Sequence, residues 1–149
     1  MWCNVDLELK TFSAVLKFTL QLEGQTGRFY EDASSSEKCL QAKQLLIGFA
    51  ENSRKRRQAL EKAARESVDH SLLEPISGLL EESYLVNVNF SESMDFAEVL
   101  ATARQVEEQM QKFYSEAGEK ISFIPAVSRI YKRYAQDRAK ALASLPSLS

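Results

Sequence analysis

The chain has 149 residues, 44% hydrophobic and 27% charged, the size and balance of one globular domain that can bury a core without disulfide or metal staples. Its 19 Lys and Arg against 21 Asp and Glu leave a formal net charge of −2, so no global field draws it to nucleic acid or to a membrane surface. No run of about 18 consecutive apolar residues occurs, which excludes a spanning helix of ordinary length.

In chain order, the N-terminal Met1-Trp2-Cys3-Asn4-Val5-Asp6 lacks a basic region followed by an apolar one, so no signal peptide is expected and a cytoplasmic location is. Cys3 and Cys39 share no CxxC or Cys/His spacing, which leaves two free thiols rather than a zinc ribbon or a rubredoxin-type iron site. A first helix is predicted over 12–33, where Phe12, Val15/Leu16, Thr19, Leu22, Thr26, Phe29/Tyr30 and Ala33 recur at intervals of three and four. A second is predicted over 37–66, with Cys39, Ala42, Leu45/Leu46, Phe49, Ala59/Leu60 and Ala63 on its face and Ser34-Ser35-Ser36-Glu37 as a capping-box start. The run Arg54-Lys55-Arg56-Arg57, the one basic cluster, points in several directions on such a helix and reads as a solvated face rather than a phosphate site.

Residues 67–93 contain Leu72, Leu73, Ile76, Leu79 and Leu80, and are predicted to form a short helix or an ordered crossover. A third helix follows over 94–118, after the capping serines Ser91 and Ser93, with Phe96, Val99/Leu100, Ala103, Val106, Met110, Phe113/Tyr114 and Ala117 on one face. The fourth, over 122–144, opens on Ser122 and Pro125 as cap and first turn and carries Ile124, Val127, Tyr131, Tyr134/Ala135, Ala141/Leu142 and Leu145.

The first and third helices match at an offset of 84, which pairs Phe12 with Phe96, Val15 with Val99, Glu23 with Glu107, Phe29-Tyr30 with Phe113-Tyr114 and Ala33 with Ala117. The second and fourth match at an offset of 82, pairing Ala42 with Ile124, Phe49 with Tyr131, Arg56 with Arg138 and Ala59-Leu60 with Ala141-Leu142. The expected fold class is therefore all-α: a four-helix bundle, here a single domain, built from two duplicated antiparallel hairpins joined by a long crossover, which is ferritin-like topology.

Each helix carries one charge on the face that should be buried: Glu23 between Thr19 and Thr26, Arg56 near Ser53 and Ala59, Glu107 between Ala103 and Met110, and Arg138 among Tyr134, Ala135 and Ala141. Buried charges are rare unless paired, so two acids and two bases at matching heights imply mutual neutralisation. The patterns Glu23…Phe29-Tyr30 and Glu107…Phe113-Tyr114 resemble those of rubrerythrins and their ferritin-like relatives. That family places a Glu-x-x-His motif on the second and fourth helices and binds two irons with the six side chains.

The matching positions here are Ser53-x-x-Arg56 and Ala135-x-x-Arg138. A guanidinium offers a metal no lone pair, serine and alanine supply no bridging carboxylate, and the single histidine, His70, lies outside these positions. The vestigial ligand positions are thus Glu23, Ser53, Arg56, Glu107, Ala135 and Arg138, and no metal or other cofactor is expected. In the family's geometry the expected pairs are Glu23 with Arg56 and Glu107 with Arg138, one arginine per half replacing the lost metal charge. Tyr30, Tyr114, Tyr131 and Tyr134 are read as core residues whose hydroxyls cap this polar network. The resemblance implies a non-catalytic binding or structural bundle. The alternative is a diiron-type oxidoreductase handling peroxide or iron through an atypical site, for instance one with Glu51 or Asp137 among its ligands.

Gly24 and Gly27 inside the first helix each cost about 1 kcal/mol relative to alanine, which implies a close helix contact there. With the apolar N-terminal residues Trp2, Val5, Leu7 and Leu9, these glycines also make a homodimer the expected assembly. A further protein or small-ligand partner is left open.

Overall fold

A computed structural model describes residues 7–67 and 73–147, which form four α-helices and, among the described residues, no β-strand. The readings that fell on Trp2, Cys3, Val5, His70 and Leu72 lie outside the described residues. The helices are α1 (Phe12–Ser34), α2 (Lys43–Ser67), α3 (Phe96–Lys120) and α4 (Pro125–Ser144). No helix among the described residues is long and apolar enough to cross a membrane.

Local chemistry sets the helix ends, and in three places the details differ from the sequence expectations. Thr11 caps α1 by accepting from the Ala14 N–H at 3.0 Å. The serine run before α2 leads into a 3₁₀ segment, Glu37–Ala42, capped by Ser36 and kinked at Cys39 (φ −112°, ψ 20°); the α-helix proper begins at Lys43. Helix α3 is capped by Asp95 rather than by Ser91 or Ser93, and Asp95 and Glu98 close a reciprocal capping box. Helix α4 has Pro125 in its first turn, but its cap is Ile124, which supplies no side-chain hydrogen bond.

Helix α1 packs along α2, and α3 along α4; α2 and α4 meet more sparsely. The apolar stripes converge on one core that includes Val15, Leu46, Leu60, Val99, Val106 and Ile121, all essentially inaccessible to solvent. Its aromatic centre is Phe113, which meets Phe18 at 5.5 Å and Tyr84 at 5.1 Å edge to face. Among the described crossover residues, 73–95 run mostly without regular structure, with a 3₁₀ turn at Glu81–Ser83. Ile76, Leu79 and Tyr84 bury their side chains. The segment before α1 is tied to this crossover by backbone bonds, Leu9 N–H to the Leu79 carbonyl (2.8 Å) and Ile76 N–H to the Lys10 carbonyl (2.9 Å). Two features that pointed to a dimer are thereby used inside the subunit, since Leu9 is buried against its own chain and Gly27 faces α2.

The two glycines of α1 are not equivalent. A Cβ at Gly27 would lie 3.0 Å from the Ser53 Cβ, an atom fixed to the α2 backbone, whereas a Cβ at Gly24 would make ordinary contact, 3.6 Å from the Arg57 guanidinium. Gly27 is what lets α1 and α2 approach at this height. Gly24→Ala should raise stability by about 0.5–1 kcal/mol through helix propensity, whereas Gly27→Ala should lose that gain to the clash and destabilise. Chemical denaturation of the two variants checks the opposite signs.

Candidate functional site

The four charges on the apolar faces come together at the centre of the molecule. Glu23 (α1), Glu107 (α3) and Arg138 (α4) are at most 1% exposed, and Arg56 (α2) is 8% exposed. Arg138 spans both acids: its Nη2 donates to Glu23 Oε1 and its Nη1 to Glu107 Oε2, each at 2.8 Å. Arg56 donates from Nε to Glu23 Oε2 at 2.9 Å and from Nη2 to the Ser53 hydroxyl at 3.4 Å. The pairings expected from the sequence are present, but they are not two separate pairs. Arg138 is shared, and Glu23 receives both arginines. Periodicity puts all four residues on inward faces but does not say which side chain reaches across the middle.

Two tyrosines complete the network. The Tyr114 hydroxyl donates to Glu23 Oε2, and the Tyr30 hydroxyl donates to Glu107 Oε2, so each carboxylate is served by a tyrosine from another helix. Thr26, one turn along α1, accepts from Arg138 Nη2 at 3.5 Å; nothing in the sequence distinguished it from an ordinary seam residue. Tyr131 stands apart, its hydroxyl bonded to Thr19 at 2.6 Å. Tyr134 contributes packing instead, with its ring 5.6 Å from that of Tyr114 and 6.0 Å from the Arg56 guanidinium carbon. Ser53 and Ala135 are buried beside the network, while Glu51 is exposed on the surface. Of the basic run, Arg54, Lys55 and Arg57 are solvated and Arg56 alone turns inward.

Electrostatics holds Glu23, Arg138, Tyr30 and Tyr114 each in one protonation state. Burial alone would raise the Glu23 pKa, but Arg138 and Arg56, with the Tyr114 hydrogen bond, outweigh it and hold the carboxyl below its ordinary 4.5. Burial would likewise discharge Arg138, yet Glu23 and Glu107 hold its pKa well above the usual value. Tyr30 and Tyr114 are pushed well above 10.0, first by burial and then by the charges of Glu107 and Glu23, so both stay protonated donors.

The arrangement is a neutral set of two acids and two bases. A cation bridging Glu23 and Glu107 would need the space that the Arg138 guanidinium fills, and it would meet like charge from Arg56. Among the described residues no group of three or more His, Cys, Asp or Glu side chains is disposed to hold a metal ion. Two polar atoms of the network lack a protein partner, Glu107 Oε1 and Arg138 Nε. Both residues line a cleft between α2 and α4 with a volume of about 580 Å³. Comparison with protein-family models, with curated proteins and with solved structures gave no match to the chain, so the site is read from its geometry.

Two expected outcomes follow from the shared arginine. Arg138→Met should cost about 3–5 kcal/mol, because it strips a partner from both buried carboxylates. Arg56→Met should cost about half as much or less, since Glu23 keeps Arg138 and Tyr114; urea denaturation of both variants compares them. The second outcome is a pH profile. Glu23 titrates lower folded than unfolded, so its contribution is complete above about 4.5 and is lost as pH falls through the folded value. The tyrosines titrate higher folded than unfolded, so theirs is complete below about 10.0 and is lost as pH rises through the folded values. The melting temperature should be flat between these limits and fall outside them, with Tyr30→Phe and Tyr114→Phe flattening the alkaline limb.

Proposed function

We propose that the protein is a rubrerythrin-like member of the ferritin-like bundles whose two-metal centre has been replaced by a buried Glu/Arg network, leaving a non-catalytic binding or structural protein. The observation that carries this reading is the Arg138 guanidinium bonded to both central carboxylates, where a metal-bridging geometry would need open space and added ligands. Supporting it are the offsets that relate the two halves of the sequence, the short connections within each half, and the long crossover between them, the topology expected of two duplicated hairpins. Charge counting gives the replacement a physical cause. Two divalent ions balance four carboxylates; with the ions and two of the carboxylates gone, one arginine per half restores neutrality around Glu23 and Glu107. A guanidinium also supplies the fork of donors that two carboxylates in different orientations require.

The test is to put the ligands back. The purified parent should contain no stoichiometric iron, manganese or zinc and should show neither peroxidase nor ferroxidase activity. The quadruple variant Ser53→Glu, Arg56→His, Ala135→Glu and Arg138→His should bind two metal ions per chain, measured by elemental analysis after gel filtration. Two metals in the parent would overturn the proposal in favour of a diiron-type oxidoreductase. A quadruple variant that keeps its helical circular dichroism yet takes up no metal would show that the four positions do not descend from ligand positions.

A further inference from the structure

The crossover holds one stretch whose backbone has nothing to bond. Residues 85–90, Leu-Val-Asn-Val-Asn-Phe, run without turn or bend, and their exposure alternates: Leu85, Asn87 and Asn89 are exposed, while Val86, Val88 and Phe90 are half-buried. Among the described residues none of their backbone N–H groups or carbonyls bonds another backbone group. The hydrogen bond they do make is local, from the Asn89 N–H to Asn87 Oδ1 at 3.2 Å.

Both ends of the stretch are anchored. On one side the Ser83 carbonyl accepts from Gln109 Nε2 at 3.3 Å, and the Tyr84 hydroxyl donates to Glu116 at 2.6 Å. On the other, the Phe90 ring packs 6.3 Å from that of Phe29, and Lys38 Nζ donates to the Glu92 carbonyl at 3.1 Å. Such anchors remove part of the ordering cost that a partner would otherwise meet. The devices that usually shield an unpaired strand edge are missing, since 83–91 contains no charged residue and no proline.

The complement of this edge is another extended backbone. A groove of about 750 Å³ lies between 85–90 and α1 and follows the whole stretch, with Gln21, Gln25, Arg28 and Asp32 along its helical side. Arg28 and Asp32 are exposed, and neither forms an ion pair among the described residues. One turn apart on α1, their Cβ atoms are about 6 Å apart, close to the ~6.6 Å between alternate residues of a strand. Tyr84 and Val86 lie beside Leu22 and Phe90 beside Phe29, so the stretch runs in the same sense as α1. An antiparallel guest in the groove therefore meets Asp32 before Arg28.

We propose that this edge takes an extended peptide segment of a partner protein, paired antiparallel with Val86, Val88 and Phe90. The segment carries a basic residue toward Asp32 and, two positions later, an acidic one toward Arg28. Asn87 already occupies the Asn89 N–H, which leaves the edge of the even-numbered residues as the open one. The groove shares no residue with the buried network, and the proposal does not depend on how that network arose.

Amide-resolved hydrogen exchange with the probe acetyl-Thr-Lys-Val-Glu-Val-Thr-amide at millimolar concentration reads the pairing. The amides of Val86, Val88 and Phe90 should gain protection. The probe with its lysine and glutamate exchanged should bind about threefold more weakly at low ionic strength. N-methylation of the probe's lysine and glutamate nitrogens, which face the edge, should weaken binding about tenfold, whereas N-methylation of its two valine nitrogens should be tolerated. Arg28→Glu/Asp32→Lys should reverse the preference between the two probes with little change in melting temperature. No protection, equal binding of the two probes, or equal loss on either methylation would each overturn the proposal. So would protection of the same amides that grows with protein concentration in the absence of peptide, because that assigns the edge to a second copy of the chain.

Discussion

One side chain, Arg138, ties together three of the four helices, since its two terminal nitrogens bond carboxylates that come from α1 and α3 while its own backbone belongs to α4. Arg56 adds α2 through the same Glu23. Apolar faces can slide along one another with modest loss, because leucine packs acceptably against many neighbours. A bidentate contact at 2.8 Å cannot slide. Displacing any one helix by a single turn, about 5.4 Å, would leave at least one charge of the network without its partner. A buried ion pair adds little net stability over well-packed apolar residues of the same size. What the network contributes is therefore register: it penalises every alignment of the four helices but one.

The correspondence between the two halves of the sequence makes the network look symmetric, and it is not. Glu23 receives Arg56, Arg138 and Tyr114, whereas Glu107 receives Arg138 and Tyr30 alone. The difference originates in the two arginines. Arg138 reaches the centre and is essentially inaccessible, while Arg56 stays nearer the surface, bonded to Ser53 and beside Tyr134. With both arginines drawn to Glu23, Glu107 keeps one oxygen without a donor. Overall neutrality thus coexists with a local imbalance.

Much of this was legible in the sequence because burial of a charge is a strong and local signal. Glu23 lies between Thr19 and Thr26 on the inward face of α1, and Arg138 lies among Tyr134, Ala135 and Ala141 on that of α4; a periodicity of 3.6 is enough to place both inside. What periodicity lacks is height and reach. It could not show that Arg138 is shared, that the tyrosine hydroxyls cross to the opposite carboxylates, or that Thr26 joins them. Helix starts were less legible for a related reason. Ser91, Ser93 and Asp95 all stand near the start of α3, and which one caps depends on where the chain must turn to enter the core; Asp95 wins over the two serines because Glu98 can close the box with it. The cleft was hidden differently: Arg133, Asp137, Lys140 and Ser144 recur at four, three and four, a pattern that also describes any solvated helix face.

That the central cation is an arginine rather than a lysine decides what remains available beside it. A lysine ammonium is a compact point charge, and one such nitrogen would have to serve Glu23 and Glu107 from a single position. A guanidinium separates the two tasks onto Nη1 and Nη2 and leaves Nε as a third donor, fixed in direction by the plane of the group. Once both carboxylates are satisfied in that plane, no protein acceptor reaches Nε, and the Glu107 oxygen not engaged by Nη1 and Tyr30 is equally stranded. An unmatched buried donor or acceptor costs about 1–3 kcal/mol. Both atoms are buried, with essentially no accessible surface of their own. The contact that holds the helices in register is thus the one that leaves a donor and an acceptor without a protein partner at the buried centre.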